Sequence, residues 1–222
     1  FRSRCLMCNE SIEVIPKLRY LLTFTESKEY CCTECKSHFK KLSKVRCPNC
    51  YKEMHGNECV DCQIWKKKGY TPNHIAIFRY EGFMKEYFSH YKFMGDYYLR
   101  KIFQEDIADA LNPLLKKGYT LVPVPLSEER FAERGFNQVE GLLEGLPYQN
   151  IFGKKDIEKQ SSKTRKERLN QENPFFIKQN VELSRKIVIV DDIYTTGSTI
   201  YKMVQLLQKP DVEEVVTFSL AR

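Results

Sequence analysis

The chain has 222 residues, 42% hydrophobic and 13% aromatic, enough for one substantial core and a small satellite module. No stretch approaches the roughly 18 consecutive apolar residues of a membrane helix, and the first nine residues carry neither an apolar export segment nor a cleavage motif. A cytoplasmic protein without membrane insertion is expected. Its formal charge of +7, from 36 Lys and Arg against 29 Asp and Glu, permits a polyanionic partner without demanding one.

Eight of the nine cysteines fall in four Cys-x-x-Cys knuckles: Cys5 with Cys8, Cys32 with Cys35, Cys47 with Cys50, and Cys59 with Cys62. Each knuckle presents two thiolates from one tight turn, which suits a tetrahedral ion such as Zn²⁺. The odd count and the missing export signal argue against a disulfide framework, and Cys31 is left as a free thiol. Sequential pairing makes one site of Cys5, Cys8, Cys32 and Cys35 and a second of Cys47, Cys50, Cys59 and Cys62. A cross-braced pairing of the first knuckle with the third satisfies the same spacing, and His38 or His55 can stand in for a thiolate. Four thiolates leave no open position, so both metals are structural, each contributing on the order of 10 kcal/mol to folding. Residues 1–68 hold 14 basic and 8 acidic side chains. Two Zn²⁺ on eight thiolates reduce that excess of +6 to about +2, which disfavours a non-specific polyanion trap.

Trp65-Lys66-Lys67-Lys68-Gly69 reads as a hinge that divides the chain into residues 1–68 and residues 69–222. If it is one, removing metal unfolds 1–68 and leaves the body folded. Within the body, strands are predicted at 75–80, 120–125, 148–152, 175–177, 187–190 and 214–219. Helical patterns cover 82–94, 97–115, 128–143 and 198–208. Their alternation predicts an α/β fold, a mostly parallel sheet flanked by helices.

Between residues 82 and 103, Phe83, Tyr87, Phe88, Tyr91, Phe93, Tyr97, Tyr98 and Phe103 mix with Lys85, Lys92, Arg100 and Lys101. At helical spacing most of these rings belong in a core, and stacking of single-stranded bases is the lesser reading. His74 and His90 have no neighbour in sequence that marks them as catalytic. Arg130 and Arg134 stand four apart, so on a helix they project to the same side, where two guanidinium forks can meet a diphosphate. Residues 160–168 carry Lys163, Arg165, Lys166 and Arg168 without apolar periodicity and read as a basic loop.

The densest pattern is residues 187–199, Ile-Val-Ile-Val-Asp-Asp-Ile-Tyr-Thr-Thr-Gly-Ser-Thr. A β-branched run reads as a buried parallel strand, and Ile200, Met203, Val204 and Leu207 recur downstream at helical spacing. The loop between them sits at the strand's carboxyl end, where open α/β sheets bind ligands and where a helix start offers free N–H groups to an anion. Gly197 lets the backbone approach a phosphate, and Thr195, Thr196, Ser198 and Thr199 can add hydroxyl donors. Asp191 and Asp192 just upstream suit vicinal ribose hydroxyls or indirect engagement of Mg²⁺. A ribose 5-phosphate is implied.

This run resembles the phosphoribosyl-diphosphate (PRPP) signature of the type I phosphoribosyltransferase fold. Val122-Pro123-Val124-Pro125-Leu126 with Arg130 and Arg134-Gly135-Phe136-Asn137-Gln138, together with Lys92-Phe93-Met94-Gly95-Asp96, Leu220-Ala221-Arg222 and the cysteine-rich start, is similar to the ComF family of competence proteins. The resemblance covers nearly the whole chain. It implies an N-terminal double zinc ribbon and a PRPP site with Mg²⁺, with Arg130 and Arg134 in the pyrophosphate loop. It further implies a mobile loop over the site at 160–168; Gln160, Arg168 and the nearby Asn170 match the family pattern, and Lys163 departs from it. The implied partners are single-stranded DNA and a ComFA-like helicase or translocase ATPase, in a role in DNA uptake. No acceptor nucleophile is legible. Thr195 stands where oxopurine-specific enzymes of this fold carry an acid, which disfavours that chemistry. A nucleobase phosphoribosyltransferase and a zinc-ribbon adaptor with a vestigial site are the alternatives.

Overall fold

The computed structural model describes residues 3–12, 29–54, 59–156 and 173–222. Its centre is a four-stranded, wholly parallel sheet of β1 (His74–Phe78), β2 (Thr120–Pro123), β5 (Lys186–Ile193) and β6 (Glu214–Ala221) in the order β1-β6-β5-β2. Inner strand β5 is buried from Ile187 to Asp192, which is why its sequence is continuously apolar rather than alternating. A two-stranded antiparallel ribbon, β3 (Phe152–Lys154) with β4 (Phe175–Ile177), stands apart from the sheet. The predicted strand at 148–152 is split: Tyr148 only bridges Leu121, and the paired run begins at Phe152.

The body's helices are α3 (Phe83–Phe93), α4 (Gln104–Lys116), α5 (Glu128–Arg134), α6 (Gln138–Leu142) and α7 (Ser198–Leu206). Two predicted helices divide. Residues 97–115 begin as a 3-10 turn, Tyr97–Phe103, before α4. Residues 128–143 break where Gly135, at φ +79°, ends α5 in the left-handed region and the Asn137 side chain accepts from Val139 N–H at 2.9 Å to start α6. Apolar periodicity runs across such a break unchanged.

The N-terminal segment adds α1 (Thr33–His38) and α2 (Val60–Lys66). It does not hang from a free hinge. Phe39 enters the body's core, its ring centroid 4.8 Å from Phe103, 4.9 Å from Phe83 and 6.0 Å from Tyr87. Trp65, within the predicted hinge, is buried with its ring centroid 4.7 Å from Tyr201. Of the aromatics between 82 and 103, Tyr87, Phe88, Tyr91 and Phe103 are buried as expected, whereas Phe93, Tyr97 and Tyr98 are exposed.

Candidate functional site

β5 delivers Asp191 and Asp192 to its carboxyl end, and the chain then turns through Thr195, Thr196 and Gly197 into α7. Both carboxylates are buried, at 9% and 4% exposure. Asp192 Oδ1 accepts from Ile193 N–H at 2.7 Å, and Asp191 Oδ1 accepts from Asp192 N–H at 2.9 Å. Lys92 Nζ pairs with Asp192 Oδ2 at 2.5 Å, although not along a hydrogen-bonding direction. Burial, and then the neighbouring Asp192 charge, push the Asp191 carboxyl up to about 8, with Lys92 opposing. Lys92, Lys154 and Arg134 all bear on this pair of buried acids, whose free lone pairs suit a pair of hydroxyl donors.

The turn itself offers amides. Among the described residues, the N–H groups of Thr195, Thr196, Gly197 and Thr199 have no acceptor, and Ser198 N–H has only Thr196 Oγ1 at 3.4 Å. The side chains of Thr195, Thr196 and Ser198 are exposed and Thr199 is half-buried. Gly197 has φ +81°, and a Cβ there would stand 2.2 Å from Tyr194 Oη, so both backbone and space exclude a side chain. N–H groups without acceptors at the start of a helix suit an anion.

The paired arginines behave differently. Arg130 is exposed. Arg134 is committed: its Nε donates to Lys92 O at 3.0 Å and its Nη1 to Gln138 Oε1, and burial lowers its pKa while Asp192 opposes. It therefore braces the lysine that meets Asp192. In the sequence, Lys92 stands in a motif without an assigned role, and Lys154 stands in none. That side chain is half-buried on β3, its pKa lowered by burial and then by the Arg130 charge, with Asp191 pulling the other way. It extends the basic rim, and no periodicity marks it. His74 is a core residue, with Nδ1 2.9 Å from Thr217 Oγ1 and Nε2 3.0 Å from Ser219 Oγ. The expected basic loop with Gln160, Lys163, Arg165, Lys166, Arg168 and Asn170, and also His55, lie outside the described residues.

The cysteines gather by sequential pairing: Cys5, Cys8, Cys32 and Cys35 in one cluster, and Cys47, Cys50, Cys59 and Cys62 in the other, with the ligand atoms of each within 4.8 Å of one another. Sulfur separations of 3.8 Å (Cys8 to Cys32), 3.6 Å (Cys47 to Cys62) and 3.5 Å (Cys50 to Cys59) approach the edge of about 3.8 Å of a tetrahedron with metal–sulfur bonds of about 2.3 Å. Both donor sets fit zinc. Burial alone would raise the Cys5 thiol, yet the amides of Cys32, Cys8 and Met7 bring it down to about 6, as a metal thiolate requires. His38 packs against Phe83 outside the first cluster. Cys31 is fully buried and its thiol is pushed up, first by burial, which leaves it inert.

The chain is 42% identical over 221 residues to competence protein ComFC of Streptococcus pneumoniae (strain ATCC BAA-255 / R6), spanning 99% of this chain and 100% of that protein. It is 34% identical over 229 residues to competence protein ComFC of Bacillus subtilis (strain 168), spanning 98% and 94%. Competence protein F of Haemophilus influenzae (strain ATCC 51907 / DSM 11121 / KW20 / Rd) is 25% identical over 240 residues, spanning 100% and 98%. No protein-family model matches the chain.

Proposed function

The chain belongs to the ComFC family of competence proteins, and from that premise we propose that it handles single-stranded DNA during DNA uptake, in the cytoplasm, using a PRPP-type site at the carboxyl end of β5. The observation that carries this is the pairing of two buried carboxylates with a run of unpartnered amides a few residues later. Asp191 and Asp192 hold the ribose hydroxyls and engage Mg²⁺ indirectly. The amides and hydroxyls of Thr195, Thr196, Gly197, Ser198 and Thr199 hold the 5-phosphate. Arg130 and Lys154 neutralise the diphosphate, and Arg134 positions Lys92. A type I phosphoribosyltransferase-like fold is consistent with the parallel sheet. Exposed Phe93, Tyr97 and Tyr98, with the Arg100 guanidinium against the Tyr97 ring, supply rings on which bases can stack. Zinc in both clusters shapes residues 1–68, which we take as one module and 69–222 as the other, with a helicase-type ATPase as the protein partner.

A cavity of 410 Å³ between α5 and the β3–β4 ribbon, lined by Pro125, Phe131, Asn137, Phe152, Lys154 and Phe176 among others, favours a second reading in which a small acceptor receives the pentose. Calorimetric titration of PRPP with Mg²⁺, with and without a short single strand, tests the first reading, and absence of PRPP binding removes it. Pyrophosphate release from PRPP across a panel of bases tests the second. Asp191→Ala with Asp192→Ala in a folded protein is expected to abolish transformation, and intact transformation identifies the site as vestigial.

A further inference from the structure

Three consecutive carbonyls of the anion turn are tied to the second cysteine cluster and the helix that carries it. Arg222 Nη1 lies 3.3 Å from Tyr194 O and 2.9 Å from Thr195 O, while its Nη2 lies 3.1 Å from Cys50 Sγ and 3.1 Å from Asp61 Oδ2. Its side chain is 5% exposed, and its guanidinium also sits 4.7 Å from the Tyr194 ring centroid. Trp65, the single tryptophan of the chain, follows Asp61 and Cys62 on α2 and donates Nε1 to Thr196 O at 3.1 Å. One planar fork thus spans a metal-ligand sulfur and the turn, which the point charge of a lysine cannot do.

In a trans peptide the carbonyl of one residue and the N–H of the next point in opposite directions. Holding the oxygens of Tyr194, Thr195 and Thr196 on the cysteine side therefore aims the N–H groups of Thr195, Thr196 and Gly197 the other way. Those three amides are among the ones without an acceptor. Donation to each carbonyl also polarises its peptide group and strengthens the N–H as a donor. Outer partners of metal ligands commonly orient a site in this manner.

We propose that Arg222 and Trp65 are positioning residues that couple the Cys47, Cys50, Cys59 and Cys62 metal centre to the anion-binding turn, so that zinc in this centre and ligand at the turn strengthen each other's binding. The coupling rests on the sugar-phosphate reading of the turn. By thermodynamic reciprocity the two effects are equal in size.

The experiment uses the full chain, with two zinc ions per chain verified for every variant. Wild-type protein is first titrated with PRPP and Mg²⁺ by calorimetry, and failure to bind at this step overturns the sugar-phosphate reading itself. Trp65→Phe keeps the ring against Tyr201 and loses the donor; Arg222→Lys keeps the charge and loses the fork. Each is expected to bind PRPP about tenfold more weakly, the scale of one lost hydrogen bond, whereas the surface variant Arg185→Lys binds as wild type. Wild-type binding alongside equal affinity in both Trp65→Phe and Arg222→Lys overturns the coupling alone. In the reciprocal measurement, a chromophoric chelator competes for zinc with and without saturating PRPP. One of the two zinc ions is expected to be held about tenfold more tightly with PRPP, and this protection is expected to shrink in Trp65→Phe, where only the Arg222 bridge remains. Zinc affinity indifferent to PRPP in the wild type overturns the proposal even if Arg222→Lys fails to fold.

Discussion

Gly197 is the residue on which the turn's shape rests, because any side chain there meets a left-handed backbone and the Tyr194 hydroxyl at once. Gly197→Ala is expected to cost about 2 kcal/mol from the backbone alone and to abolish PRPP binding. Urea denaturation checks the first effect, and unchanged stability would mean that the turn relaxes around a methyl group. Asp191 carries the second residue-scale prediction. Its folded pKa of about 8 exceeds an unfolded value of about 4, so within that window the folded chain holds a proton that the unfolded chain has released. This group's contribution to stability is full below about pH 4 and is lost as pH rises through about 8. The charged groups facing it are Asp192, Lys92 and Lys154. Asp191→Asn is expected to flatten the decline in melting temperature between pH 5 and 8; a slope equal to wild type would assign the pH response to another group. Of the candidate site's residues, the acids, hydroxyls and Gly197 were legible because they fall within the short run 191–199. Lys154 was not, because it reaches the rim from a different strand.

At the scale of elements, the short break between α5 and α6 sets where Arg130, Arg134 and Gln138 point. Asn137 holds this break with three contacts: it accepts from Val139 N–H and donates to Val124 O at 3.2 Å and Glu140 Oε1 at 3.1 Å. Asn137→Ala removes a helix cap and leaves Val124 O short of a buried donor. A loss of about 1–3 kcal/mol is expected in a denaturant titration, with weakened PRPP binding as Gln138, which accepts from Arg134, shifts with the loosened break; a loss below about 0.5 kcal/mol would show that the break is held by Gly135. Inner strand β5 was readable from its apolar run, since burial on both faces leaves no polar alternation to misread. The break was less readable, because a helix and two shorter helices around one glycine share the same apolar repeat. The register of Tyr148, which meets Leu121 by a single bridge, followed from packing and not from its own composition.

Across the whole molecule, the metal-binding segment and the body share packing rather than a bare linker. Phe39 sits among Phe83, Tyr87 and Phe103, Trp65 lies against Tyr201, and Lys41 pairs with Asp106 at 3.1 Å. Chelation is therefore expected to unfold 1–68 and also to lower the melting temperature of 69–222 by several degrees, about 2–4 °C per kcal/mol of lost support. Scanning calorimetry with and without chelator checks this, and a body transition that does not move would establish two independently folding modules. The amino-acid sequence by itself determined the four Cys-x-x-Cys knuckles, the strand–turn–helix order around Asp191 to Thr199 and the mostly parallel sheet, because each depends on spacing over a few residues or on the apolar run of a buried strand, whereas the pairing of the knuckles into two clusters came from the fold. Only the tertiary structure decided that Lys92 meets Asp192, that Arg134 braces it, and that Trp65 and Arg222 tie the turn to the second cluster. Those contacts join residues far apart in the chain through single side-chain donors, and such bonds leave no periodicity in sequence because only the packing of the intervening elements brings the partners together.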